Sequence, residues 1–495
     1  MMRVLLLSMP DSFEHMPTVG IRMPNGALTS LAGNVDAQHQ VAVADLILVQ
    51  GRVGETVERL LAEHAPDVVG LSVMTFQRKT AFKIIERVRA LRPSAHVVAG
   101  GYDPSLDAEA YAGRADFVVR GEGELTFREL LRALEARGSC DSIPGLSQGT
   151  AGGLRHNPDR PVSGLDSGAI GLPRRAARVL EGYTFLGRPV DVIETSRGCT
   201  YDCSFCSIIE MRGRNFHTYS FERVLDDIRD ARSRGARTLF LVDDNITLNV
   251  PRFEALCRAI LEAGLQDVRY VVQAMTSAIA NHGSSLGPLM RASGFKYVFL
   301  GIENILEDDL TFLKARSKNL RRDEGHSSGN ATLAAIDCLH RNGMYVVGGL
   351  IVGNPNDTRE SIEANLEFAR RYVDWPYIQH PTPYPRTPMT VELKEKGLVI
   401  NERLEEYDGT TAVVRSQHLD AEEIEFLRWR AERWMKVAHV PRVLRDSPGF
   451  VLRNWWRMLA HTFRGSSLRS VLGLEDEHAA FSRYRRLREA ERLYL

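Results

Sequence analysis

The sequence predicts an α/β protein: a doubly wound parallel sheet, then a partial parallel barrel, then a helical C-terminal region. Three observations predict it. Short apolar runs rich in Val, Ile and Leu alternate with amphipathic stretches of helical spacing up to about residue 415, the pattern of strands buried on both faces. The alternation is interrupted once, by a stretch rich in Gly, Pro, Ser and Arg. Beyond about residue 419 only helical spacing remains.

In order, RVLLLSM (3–9), VAVADL (41–46), DVVGLSVMT (67–75), HVVAGG (96–101) and DFVVRG (116–121) read as buried parallel strands, with KTAFKIIERVRALR (79–92) as one of the helices between them. Five such units make a doubly wound domain over 1–137, a fold that takes ligands at the carboxyl ends of its strands. Residues 138–188 read as a linker, in which GLSQGTAGGLRH suits a small hairpin. A second series follows, with strands at 190–198, 238–244, 268–275, 297–303, 345–353 and 377–385 and helices such as 221–235 and 358–372. Six βα units suit a partial (βα)6, TIM-like barrel over 189–415, with its chemistry again at the strand ends. Residues 416–495 form the helical C-terminal region.

Charge is balanced, 63 basic against 63 acidic residues, so no global field favours nucleic acid or an anionic surface. No apolar run reaches the roughly 18 residues of a membrane span. The opening MMRVLLLSM is too short for a signal peptide and reads as a first strand. Six cysteines in 495 residues make no disulfide framework, which fits a reducing cytoplasm.

Three of those cysteines, Cys199, Cys203 and Cys206, crowd into RGCTYDCSFCSI just after the first strand of the second series. Thiolates select zinc or iron–sulfur clusters. Structural zinc wants four ligands; His217 supplies a fourth, which leaves a zinc-stabilised binding protein as one reading. A four-iron cluster on three cysteines keeps one iron open for chemistry, the reading the loop favours. Cys140, Cys257 and Cys338 are scattered and read as small apolar filler.

CTYDCSFC, with Phe205 as its aromatic, resembles the C-x3-C-x-φ-C signature of the radical S-adenosylmethionine (SAM) superfamily. The resemblance implies a [4Fe–4S] cluster on Cys199, Cys203 and Cys206. It implies SAM held at the open iron and reductively cleaved to a 5′-deoxyadenosyl radical that takes a hydrogen from substrate. It also implies SAM contacts at Asp243 and Asp244 in LFLVDDN, where paired acids suit an ammonium. Glu303 in FLGIEN would meet the ribose hydroxyls, and Gly353 in GGLIVGNPNDT would let backbone approach adenine. TPYPRTPM (382–389) is similar to a stretch ending the sixth strand in the same relatives; Gln273 and Ser277 are weaker candidates. Structural roles stand beside these: a helix cap for the acids, and a tight turn at Gly353 with Asp357 or Thr358 capping the next helix.

A doubly wound, flavodoxin-like domain ahead of such a barrel resembles the cobalamin-binding radical SAM enzymes, which include methyltransferases and anaerobic cyclases. In that group the loops corresponding to 23–35, 70–77, 100–105 and 120–124 surround the corrin and its tail. Ser72, Thr75, Gly100 and Gly101 would admit the tail close to the backbone. The D-x-H-x-x-G mark is missing, since neither Asp11 and His15 nor Asp36 and His39 have its spacing. The implied protein is a cytoplasmic enzyme using a [4Fe–4S] cluster, SAM and cobalamin to methylate an unactivated carbon of a small-molecule or lipid-like substrate. No protein base deprotonates an alkyl C–H, so such a reaction needs cofactor chemistry. An electron donor such as flavodoxin or ferredoxin would serve it. An oxidative cyclase or rearrangement enzyme is the alternative within the same group. No residue is assigned to catalysis itself.

The C-terminal PGFVLRNWWRMLAHTFRG sets Phe450, Trp455, Trp456 and Phe463 among Arg and His. The expected arrangement is a helix packed on the barrel, aromatics inward and arginines outward; peripheral association with a membrane or cover for a greasy substrate is the other. The closing Arg/Glu run reads as a solvated helix, and no nucleic-acid module is recognisable.

Overall fold

The computed structural model describes residues 1–13, 18–162, 164–323, 326–467, 470, 474–491 and 494–495; His15 lies outside them. Strands β1 (Arg3–Ser8), β2 (Gln40–Asp45), β3 (Val68–Ser72), β4 (His96–Gly100) and β5 (Phe117–Val119) pair in parallel in the order 2-1-3-4-5. Both faces of β1 are buried. Leu5 and Leu7 pack with Val57, Leu60 and Ile84 of the helices Val53–His64 and Arg78–Leu91. Val4 and Leu6 pack with Leu28, Phe127 and Leu130 of Gly26–Gly33 and Gly123–Ala136. The strand order reverses between β1 and β3, the switch point at which doubly wound sheets bind ligands.

The segment 138–188 is no loose tether. Its hairpin, Leu146–Thr150 with Gly153–His156, extends the first sheet antiparallel to β5. Further on, the buried Arg175 donates to Asp191 at 3.0 Å and Asp227 at 2.6 Å, and Arg178 grips both oxygens of Asp191 at 2.7 and 2.8 Å.

The second sheet runs β6 (Arg188–Ile193), β7 (Thr238–Leu241), β8 (Arg269–Met275), β9 (Phe295–Glu303), β10 (Tyr345–Ile351) and β11 (Trp375–Gln379), parallel and in sequential order. It stays open, a partial barrel: the outer edge of β6 is taken by Thr184–Phe185, which also pairs with Ile21–Arg22 of the first unit. The run 190–198 is not one strand as expected. β6 stops at Ile193 because the Thr195 N–H goes to the Asp243 carboxylate at 2.7 Å. Ser196–Arg197 then turns aside to pair with His217–Thr218.

Helix α1 (Ala421–Asp446) runs beside the last strands. Ile424, near its start, fills the space next to Gly353 after β10. Asp446, at its end, accepts from Arg269 at 3.0 Å and from the Tyr297 hydroxyl, both near the starts of β8 and β9. The first turn of helix α2 (Pro448–Thr462) closes that bottom end, with Phe450 and Val451 among Val190, Val271 and Tyr297, and the helix then runs back along α1 until Phe463 meets Trp434. Helix α3 (Glu477–Glu491) returns along α1 through Phe426, Trp429, Phe481 and Tyr484. The aromatics-inward expectation fails for two residues: Phe450 is 5% exposed, but Trp455 and Trp456 are 58% and 64% exposed. Helical spacing puts 450, 451, 454 and 458 on one face and 455 and 456 on another. No described helix is long and apolar enough to cross a membrane.

Candidate functional site

The cysteine loop is built by its neighbours. Gly198, at φ +89, has the Asn215 carbonyl oxygen 2.4 Å from where a Cβ would stand, so only glycine fits. Beyond it Cys199 and Cys206 are half-buried and Cys203 is buried. The Cys206 N–H donates to the Cys203 carbonyl at 3.2 Å. Ser204 ties the loop down: its N–H reaches the Leu313 carbonyl at 3.0 Å, its hydroxyl the Phe312 carbonyl at 2.9 Å, and its own carbonyl accepts from Met389 N–H at 2.9 Å. Asn245 points its amide at the Cys199 sulfur, 3.6 Å away. Burial pushes the Cys203 thiol up to about 11 and Cys206 to about 12, so a metal must draw off these protons as it binds.

Lys318 supplies the compensating charge. Its ammonium lies 2.6 Å from Glu303 Oε1 and 5.9 Å from the Phe205 ring centre, and its field acts on Cys203 and Cys206. Burial works against that charge, but Glu303 and the nearby sulfurs raise the ammonium above its ordinary value. Two thiols in the field of a cation, with Cys199 nearby on the same loop, suit the charge of an anionic iron–sulfur cluster. Among the described residues, no group of three or more His, Cys, Asp or Glu side chains stands together as a metal site.

The other expected SAM contacts divide. Glu303 sits at φ +61, where β9 shifts register on β10, a strained backbone of the kind found at functional sites. With Phe205 and Lys318 it lies beside the cysteines. Asp243 is buried, and its oxygens accept from Thr195 N–H at 2.7 Å, Thr195 Oγ1 at 2.5 Å and Ser196 Oγ at 2.5 Å. Burial pushes its carboxyl up to about 6 despite those bonds. Asp244 accepts from Gly198 N–H at 2.7 Å and keeps a face toward a cavity between the two units. Gly353 is required by φ +94 and by Ile424, 2.7 Å from a would-be Cβ, while its N–H donates to Asp357 at 2.7 Å. Thr358 caps the following helix.

The cavity, about 370 Å³, lies over the carboxyl ends of β1, β3, β4 and β6. Ser72, Gly100 and Gly101 line it; Thr75 does not, being buried in the turn after β3. Gly101, at φ +101, has Val73 backbone atoms 2.8 and 2.9 Å from a would-be Cβ. Asn25 donates to Ser72 Oγ at 3.1 Å on the same wall. A wider space of about 630 Å³ adjoins it through Gly121, Glu122, Met211 and Arg212. The cysteines themselves do not line the cavity; Arg197, Arg212 and Asp244, which frame their loop, do. Tyr102, also lining it, has its hydroxyl raised by burial and then by the charge of Asp244, with Cys206 contributing.

One clasp joins the units here. Arg197, two positions before Cys199, donates to Glu124 of the first unit at 2.6 Å and pairs with Glu194 at 2.8 Å. Burial alone would raise the Glu124 carboxyl, but Arg197 and a 2.7 Å bond from Ser30 hold it at about 2. Neither the clasp nor Lys318 was signalled by the sequence. Lys318 sits in an unremarkable ARSKNL, and Glu124 and Arg197 meet only through the fold.

A thiol loop at the top of a partial barrel, tied to a cavity shared with a doubly wound domain, defines a two-domain cofactor enzyme. Residues 15–131 match the B12 binding domain family and residues 193–369 the Radical SAM superfamily. The chain thus carries a B12 binding domain ahead of a radical SAM domain. It is 27% identical over 472 residues to an uncharacterized methyltransferase of Pyrococcus horikoshii, covering 93% of this chain and 99% of that one. It is 28% identical over 336 residues to the hopanoid C-3 methylase of Methylococcus capsulatus, 66% of this chain and 61% of that one. Its fold is similar to that of the radical SAM methyltransferase TsrM from Kitasatospora setae, solved with cobalamin and a [4Fe–4S] cluster. The TM-score is 0.64 at 21% identity, over 80% of this chain and 75% of that one.

Proposed function

We propose that the protein is a cobalamin-dependent radical SAM methyltransferase that adds a methyl group to an unactivated carbon of a small-molecule or lipid-like substrate. One observation carries the reading. The loop of Cys199, Cys203 and Cys206 is fastened by Gly198–Asp244 and Arg197–Glu124 to the cavity that Gly100 and Gly101 line. In this reading the three cysteines hold the cluster, and Phe205, Glu303 and Asp244 face SAM. Ser72, Gly100 and Gly101 leave room for the corrinoid. When bound, these groups supply one-electron reduction, radical generation and a transferable methyl group. The chain's own part is to give up two raised thiol protons, balance the cluster's charge with Lys318, and fix the distance between the two cofactor ends through the clasp. The methyltransferase names of the Pyrococcus and Methylococcus relatives support methylation, while relatives named as anaerobic cyclases also match, one over 86% of this chain.

The test is anaerobic reconstitution with iron, sulfide and hydroxocobalamin, followed by reduction in the presence of SAM. The expected result is about four irons per chain, retained corrinoid, and formation of 5′-deoxyadenosine together with S-adenosylhomocysteine. Cys203→Ala should lose most of its iron and sulfide and release no deoxyadenosine. Deoxyadenosine without S-adenosylhomocysteine would move the assignment to a cyclase or rearrangement enzyme, and a colourless protein with one zinc would end it.

A further inference from the structure

We infer that the outward face of α1 and α2 seats the protein on an anionic lipid bilayer. On α2, Leu452, Trp455, Trp456 and Leu459 follow the i, i+3, i+4, i+7 spacing of one helical face, and they are 70%, 58%, 64% and 42% exposed. The adjoining α1, which packs on α2, carries Trp434, 44% exposed, with its ring against Phe463 just past the end of α2. Surfaces of monomeric soluble proteins rarely gather so many exposed large apolar groups without a partner to cover them. Tryptophan and leucine backed by arginine are what a helix lying in a membrane interface presents.

Charge selects the occupant. Between residues 434 and 465 there are six basic residues and one acid, in a chain whose total charge is zero. That acid, Asp446, is turned inward onto Arg269 and Tyr297. Arg445, Arg453 and Arg457 are exposed around the apolar face. A second copy of the chain meeting this face across a two-fold axis would set arginines against arginines; an anionic lipid surface answers both the apolar patch and its charge. The face starts at the strand-start end, where Phe450 meets Val190, Val271 and Tyr297, and follows α2 back along α1 to Phe463, whose ring meets Trp434.

The experiment uses the full-length reconstituted protein and vesicles of phosphatidylcholine, with or without phosphatidylglycerol, in sedimentation and tryptophan-emission assays. The expected result is sedimentation with the anionic vesicles, a blue-shifted emission, and release by salt. Arg453→Gln/Arg457→Gln should weaken binding about 30-fold, roughly fivefold per arginine. Trp455→Ser/Trp456→Ser should abolish it while iron loading and SAM cleavage stay as in the parent. Absence of vesicle binding, or binding unmoved by either pair of substitutions, would overturn the inference. So would a dimer in light scattering that the Trp455→Ser/Trp456→Ser protein no longer forms, since a second copy would then cover the face.

Discussion

Asp243 shows how a side chain of the expected type takes a different task. Its position after β7 suits an ammonium, yet its oxygens hold Thr195 and Ser196 and so turn the chain out of β6 toward the cysteines. Its carboxyl stands at about 6 against an ordinary 3.8. Below pH 3.8 the group is protonated folded and unfolded, and its burial has no ionisation penalty. As pH rises toward 6 the unfolded chain sheds its proton first, so stability falls, by about 3 kcal/mol, and stays lower above that. Denaturant titrations of cluster-free protein between pH 4 and 6.5 should show this loss, and Asp243→Asn should show it reduced by about that amount. An equal pH slope in both proteins would mean the carboxyl titrates normally.

At the scale of elements, the turn from β4 into the following helix decides whether a large cofactor can approach the first sheet. Gly100 and Gly101 look equivalent in HVVAGG, but the fold separates them. Gly101 combines φ +101 with Val73 backbone atoms within 2.9 Å of a would-be Cβ, whereas the nearest atom to a Gly100 Cβ is Val119 O at 3.7 Å, an ordinary contact. Gly101→Ala should cost about 2 kcal/mol or more, read as a lower unfolding midpoint, and should also lose corrinoid on gel filtration. Gly100→Ala should fold as the parent does and show only weaker corrinoid retention. A Gly101→Ala protein as stable as the parent would show that the turn relaxes.

Over the whole molecule, the Arg197–Glu124 pair makes the position of the first unit part of the cluster's support. With Glu124 held at about 2 from an ordinary 4.5, its contribution is present above pH 4.5 and is lost as pH falls toward 2, about 3 kcal/mol in all. Glu124→Gln leaves the buried Arg197 with weaker compensation and should cost about 3 kcal/mol at neutral pH. Calorimetry should then resolve the two units as separate transitions, and iron content after reconstitution should drop although no cysteine has changed. Unchanged iron in a protein that still unfolds in one step would confine the pair to packing.

By itself the sequence determined the alternation of strands and helices and the cysteine loop. Both are written locally: strand and helix periods are read within a few turns, and Cys199, Cys203 and Cys206 span eight positions. It also brought Glu303 into the candidate site, because strand ends converge in any parallel sheet. Only the tertiary structure decided that Asp243 serves the backbone, that Lys318 stands beside the cysteines, that Glu124 answers Arg197 from 73 positions away, and that Trp455 and Trp456 face outward. The physical reason is common to all four. A side chain's partners, and the water removed around it, are fixed by which segments the sheets bring together, and no local pattern encodes that meeting.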